Sequence, residues 1–118
     1  MDERLRPEER LHHSSEFQHV FQGGRCFHTP CLRIHYCANG RGSSRLGLVV
    51  SRRLGKANRR NRIKRLLREV YRKQKHGLLV PVDVVLVAQG RPQAHAEYLK
   101  AFAAFLRRVE GARKGAGT

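Results

Sequence analysis

One stretch constrains the fold more than any other: Val82-Asp83-Val84-Val85-Leu86-Val87-Ala88. Its side chains are apolar without alternation, apart from Asp83. A strand of this kind needs cover on both faces, which favours parallel pairing in an α/β sheet flanked by helices. The segment before it supplies such a helix. From Asn58 to His76, the residues Ile63, Leu66, Leu67, Val70 and Tyr71 recur at i, i+3, i+4, i+7 and i+8, a full apolar stripe. Gly77 stops it. Upstream, Leu46 to Ser51 reads as another strand, so Leu46 to Ala88 forms a βαβ unit.

The flanks extend this unit. Ser14 or Ser15 can cap a short helix with Glu16 in its first turn, and Phe17, Val20 and Phe21 share one face. Gly23-Gly24 ends it. Cys31 to Ala38 alternates, with Leu32, Ile34 and Tyr36 on one side and Arg33, His35 and Cys37 on the other, as in a strand with two unlike faces. The turn signal Asn39-Gly40-Arg41-Gly42-Ser43 predicts an antiparallel hairpin with the Leu46 strand. Cys26 to His28 is a candidate for a further short strand. Ala94 to Glu110 reads as a last helix, with Leu99, Phe102, Leu106 and Val109 inward. Residues 1–10 and 111–118 are expected to be flexible. At 118 residues the chain fits one domain. The expected architecture is α/β: a single-domain αβ sandwich over 1–118, with one mixed sheet of about four strands and three helices, ordered α-β-β-β-α-β-α.

Charge then narrows the function. Lys plus Arg number 25 against 9 Asp plus Glu, a net charge of +16. Such an excess is the electrostatic footprint of a nucleic-acid binder, because each phosphate neutralised releases condensed counterions. Arg outnumbers Lys 19 to 6, and Arg forks onto phosphate and stacks on bases. Residues 52–75 hold 12 of the basic residues and one acid, Glu69. A merely solvated helix face usually mixes signs. The candidate contact residues are Arg52, Arg53, Lys56, Arg59, Arg60, Asn61, Arg62, Lys64, Arg65 and Arg68. Gly55 lets a partner approach the backbone, and the helix start offers free N–H groups to phosphate. Cations there oppose the macrodipole, a cost that an anion would offset. Arg60 falls on the apolar side of the wheel, so it should lie in the first turn and point off the end.

Other classes are disfavoured. No apolar run approaches the roughly 18 residues of a membrane span, and Met1-Asp2-Glu3-Arg4 lacks a signal-like apolar region, so a cytoplasmic protein is expected. Cys26, Cys31 and Cys37 fit no zinc-finger spacing, even with His28 and His35 nearby. No metal site is therefore assigned to the protein. Five of the nine acids lie in residues 1–16, and the clustered carboxylates of two-metal phosphodiester chemistry cannot be assembled. No catalytic side chain is assigned, and a binding role is expected.

The run Lys56-x-x-x-Arg60-Asn61-Arg62-x-Lys64-Arg65-x-x-Arg68, preceded by Ser44-Arg45-Leu46-Gly47-Leu48-Val49-Val50-Ser51, resembles the signature of the protein component of bacterial ribonuclease P. The resemblance extends to Phe17-x-x-x-Phe21 and to the element order, over roughly residues 11–108. It implies a subunit of the endoribonuclease that removes the 5′ leader from precursor tRNA, with chemistry performed by a catalytic RNA that positions Mg²⁺. It implies that Arg60-Asn61-Arg62, with Lys56, Lys64, Arg65 and Arg68, faces that RNA. The cleft between the first helix and the sheet would take the single-stranded leader, lined by Phe17 and Phe21. Arg33 and His35 stand where family members often carry an apolar or aromatic pair. As weaker candidates they imply a grip more by charge than by stacking. The implied partners are ribonuclease P RNA, one protein per RNA, and precursor tRNA, with no DNA and no membrane. The alternative is a structural, ribosomal-type RNA-binding protein with no role in cleavage. A helix-turn-helix DNA module is disfavoured, since the basic helix runs directly into a strand.

Overall fold

A computed structural model describes the backbone of residues 5–78 and 80–116, with side chains as far as residue 109. The elements are α1 (Ser14–Gly23), β1 (Arg25–His28), β2 (Leu32–Ala38), β3 (Arg45–Val50), α2 (Ala57–Gln74), β4 (Val82–Ala88) and α3 (His95–Ala116). The predicted mixed sheet with three helices is present. The short strand at Cys26 is real: β1 pairs antiparallel with β2.

The expected hairpin between the second and third strands does not form. The sheet order is β1-β2-β4-β3. β4 inserts between the two, antiparallel to β2 and parallel to β3. The reason lies in β4 itself, which is buried along its whole length. A central position pairs both its backbone edges and covers both its faces; beside β3 alone it would leave an apolar edge open.

The sheet separates two apolar layers. On one face, Ile63, Leu67, Val70 and Tyr71 of α2 and Tyr98, Phe102 and Phe105 of α3 pack on Leu32, Ile34, Leu46, Val84 and Leu86. Tyr36 packs here too, its ring 5.0 Å from Phe105. Leu66, Leu99, Leu106 and Val109 are only partly buried at the margin of this layer. On the other face, α1 covers a smaller cluster of Leu11, Val20, Val85 and Val87, with Phe17, Cys37 and Val49 against it.

Element ends also differ from expectation. α1 is preceded by His13 rather than capped by Ser14 or Ser15. The Glu16 carboxylate instead accepts the His12 and His13 amides at 2.7 and 2.9 Å. Residues 5–10, expected to be flexible, are tied down. Leu5 is buried in the larger core, Arg10 forms a parallel bridge to Leu46, and the Leu11 amide donates to the Leu46 carbonyl at 2.9 Å. α3 runs on to Ala116, past the expected fray point at Gly111; residues 1–4 and 117–118 lie outside the described residues. None of the described helices is long and apolar enough to cross a membrane.

Candidate nucleic-acid interface

The basic surface begins where β3 ends. A tight turn at Arg52–Leu54 sinks Leu54 into the core and leaves Arg52 and Arg53 exposed. Gly55 follows with φ +126°, a conformation that favours glycine. A Cβ there would also meet the Arg59 side chain at 2.6 Å. The chain thus turns sharply into α2, whose preceding residue, Lys56, makes no side-chain cap. The amides of Ala57 and Asn58, ahead of the first intrahelical bonds, are left to solvent or to a ligand.

Gly55, Lys56, Asn58, Arg59 and Arg62 line a hollow of about 520 Å³ at this helix start. The Asn58 amide oxygen accepts the Arg59 N–H at 2.9 Å. Asn58 was not among the expected contact residues, although an amide in the first turn of a basic helix was visible in the sequence. Arg60 behaves as the wheel requires: half-buried, it points back and donates from Nε to the Gly55 carbonyl at 3.2 Å. Asn61, Arg65 and Arg68 are exposed farther along α2. Arg68 and Lys64 line a second hollow of about 170 Å³, with Arg10, Phe17 and Gly47 in its wall. The predicted cluster is therefore not one patch. It wraps from the head of α2 round to the β3 edge.

The α1 face of the sheet carries the other group. The Phe17 ring lies against Gly47, where a Cβ would approach it to 2.6 Å. Phe21 is 42% exposed and meets His35 edge-on, ring centroids 4.7 Å apart and planes at 90°. His35 Nε2 lies 3.7 Å from Cys26 Sγ. Burial, and then the charges of Arg33 and His28, push the His35 imidazole below its usual pKa, which favours the neutral ring. Arg33 is exposed on the same face. This cleft therefore keeps an aromatic pair, Phe21 with His35, beside the charge of Arg33. Tyr36, one residue along, points to the other face, as expected.

A partly buried ion-pair chain, centred on the buried Asp83, fixes α1 over this face. Arg45 on β3 donates from Nε and Nη2 to the two Asp83 oxygens on β4, at 2.9 and 2.7 Å. Its Nη1 donates to Glu16 of α1 at 2.6 Å. Asn39 adds a bond to Asp83 at 2.9 Å. Burial pushes the Asp83 carboxyl up, but Arg45 and Asn39 overcome it and hold it below its usual value. Glu16 is held down at about 2, first by the His13 and His12 amides and then by Arg45. No local pattern announces this chain, because its members are 29 and 38 residues apart.

Comparison with known proteins identifies the family. A family model described as Ribonuclease P matches residues 5–110. The ribonuclease P protein component of Thermotoga petrophila is 32% identical over 117 residues, covering 94% of this chain and 100% of its own length. That of Azoarcus sp. is 35% identical over 107 residues, covering 86% and 89%. Among solved structures, the RNase P protein of Staphylococcus aureus aligns with a TM-score of 0.76 at 25% identity, covering 86% of this chain and 94% of that one. The protein from Thermotoga maritima gives 0.71 at 28% identity, covering 89% and 96%. The chain belongs to the ribonuclease P protein family, whose members are the protein subunit of an endoribonuclease and work with its RNA.

Proposed function

We propose that the basic surface wrapping α2 docks the catalytic RNA of ribonuclease P, while the α1 face of the sheet holds the 5′ leader of precursor tRNA. One observation carries this reading. Lys64 and Arg68 share a hollow with Phe17, so the acid-poor helix and the aromatic face meet as one continuous surface. On the helix side, guanidinium forks suit backbone phosphates. On the sheet side, Phe21 and His35 offer a stacking edge to unpaired bases, with Arg33 beside them for the strand's charge.

The protein contributes binding and orientation. Mg²⁺ held by the RNA supplies the phosphodiester chemistry. Of the described acids, Glu16 and Asp83 are engaged by Arg45, Glu9 by Lys75 and Glu69 by Arg72 and Lys73. Binding of the leader outside the RNA active site is binding energy used for reaction elsewhere. One protein per RNA, acting in the cytoplasm, completes the reading.

The test is reconstitution. The chain is incubated with bacterial ribonuclease P RNA and precursor tRNA at low Mg²⁺. Leader removal should be strongly stimulated, and the stimulation should exceed any effect on mature tRNA binding. No stimulation would refute the proposal.

A further inference from the structure

Cys26 and His35 are nine residues apart and share no motif, yet the fold sets them side by side. The register of β1 on β2 puts Cys26 directly across from His35. The Thr29 amide donates to the Leu32 carbonyl at 2.8 Å, so Thr29 and Leu32 are a hydrogen-bonded pair. Alternation along the ladder then makes Cys26 and His35 a non-hydrogen-bonded pair, the kind whose side chains stand closest. Cys26 Sγ lies 3.7 Å from His35 Nε2. Both side chains are half-buried, with the Phe21 ring edge-on to the imidazole. β1 is an outer strand of the sheet, so the pair sits at the sheet's margin.

A thiol and an imidazole so placed have the bite of a metal chelate. Metal–sulfur and metal–nitrogen bonds of about 2.3 and about 2.0 Å meet at roughly 115–120° when their outer atoms are 3.7 Å apart. Thiolate with imidazole suits soft ions, Cu⁺ and Zn²⁺ among them. Two observations choose between these. Among the described residues no three His, Cys, Asp or Glu side chains stand together for a metal, whereas Zn²⁺ takes three or four protein ligands. Arg33 is also exposed on the same face of a chain with net charge +16, so added positive charge is repelled. A monovalent ion adds none, because the Cys26 thiol releases its proton to solvent as the sulfur–metal bond forms. We infer that Cys26 Sγ and His35 Nε2 form a binding site for a soft monovalent metal ion, Cu⁺, at the β1–β2 margin. His28, two residues along β1 on the same face and exposed, is positioned to turn in as a third ligand. The site stands independently of which RNA the protein binds.

The full chain is titrated anaerobically with Cu⁺, supplied as its acetonitrile complex. Binding is followed by the ultraviolet thiolate-to-metal charge-transfer band and by the imidazole NMR signals of His35. In the parent the band should saturate at one ion per chain as those signals shift. Cys26→Ser should abolish both responses. His35→Phe keeps an aromatic ring beside Phe21 and should weaken the band, and urea midpoints near the parent's show that both variants fold. Cys37→Ser removes the other half-buried thiol on this face and should leave both responses intact. Zn²⁺ at equal concentration should leave the His35 signals in place. A band that survives Cys26→Ser, or that Cys37→Ser removes, refutes the site, as does a parent whose His35 signals ignore Cu⁺. If Zn²⁺ shifts those signals as strongly as Cu⁺, the assignment to a monovalent ion is overturned.

Discussion

Phe17 and Phe21 stand one turn apart on α1, yet their surroundings divide them. Phe17 is wedged against the bare backbone of Gly47, and Phe21 stands open beside His35. A ring held in place by packing contributes stability; a ring open on one face can receive a base. Phe21→Ala should therefore reduce the preference for precursor over mature tRNA by about 1–3 kcal/mol, the worth of one stacked base. Its urea midpoint should stay near that of the parent. Phe17→Ala should lower both, as a partly buried core truncation does. Equal losses of stability in the two variants would contradict this division. The i, i+4 spacing in the sequence placed both rings on one face. Which ring stayed open depended on Gly47, thirty residues away, and no local pattern reports that.

Arg45 ties α1, β3 and β4 together, so these elements share one fate. Removing it would leave Asp83 charged, 3% exposed, and hydrogen-bonded to the Asn39 amide with Arg41 as the remaining nearby cation. Arg45→Met should cost about 3–5 kcal/mol of stability, the usual penalty for breaking a buried pair, read from urea unfolding at pH 7. Glu16 and Asp83 both have lowered folded-state pKa values. Their stabilisation is complete above the ordinary carboxylate range and is lost as pH falls from about 4.5 towards 2, where the folded Glu16 titrates. Unfolding midpoints should drop through that window and drop less in Glu16→Gln. The strand and helix segments themselves were legible, because periodicity is a local signal: the α2 stripe and the apolar run of β4 both appear where expected. Pairing was not. Asn39 to Ser43 looks like a hairpin turn, but Asn39 instead spans from the loop to Asp83. The strand that separates β2 from β3 comes more than thirty residues later.

Across the whole molecule, charge was the clearest message of the sequence, and its partition was the least legible. The wheel of α2 showed a basic face; the fold divides it among three hollows by bringing up Gly55, Phe17 and Arg10 from other segments. Arg59 and Arg62 converge at the helix start, whereas Arg60 is turned to a backbone carbonyl. Arg59→Ala with Arg62→Ala should thus lower the salt slope for catalytic-RNA binding by roughly 1.4–1.8, one increment per lost phosphate contact. Arg60→Ala alone should act more through the turn at Gly55 than through the slope. A gel-shift series in KCl tests both, and an unchanged slope in the double variant would remove the helix start from the interface.

The position of β4 has a further consequence during synthesis. Neither β2 nor β3 has its central neighbour until Ala88 has left the ribosome, so the most arginine-rich part of the nascent chain is translated before the sheet that organises it can close. For that interval the apolar stripe of α2 has no completed sheet to pack against, and early capture of its RNA would compete with ribosomal RNA nearby.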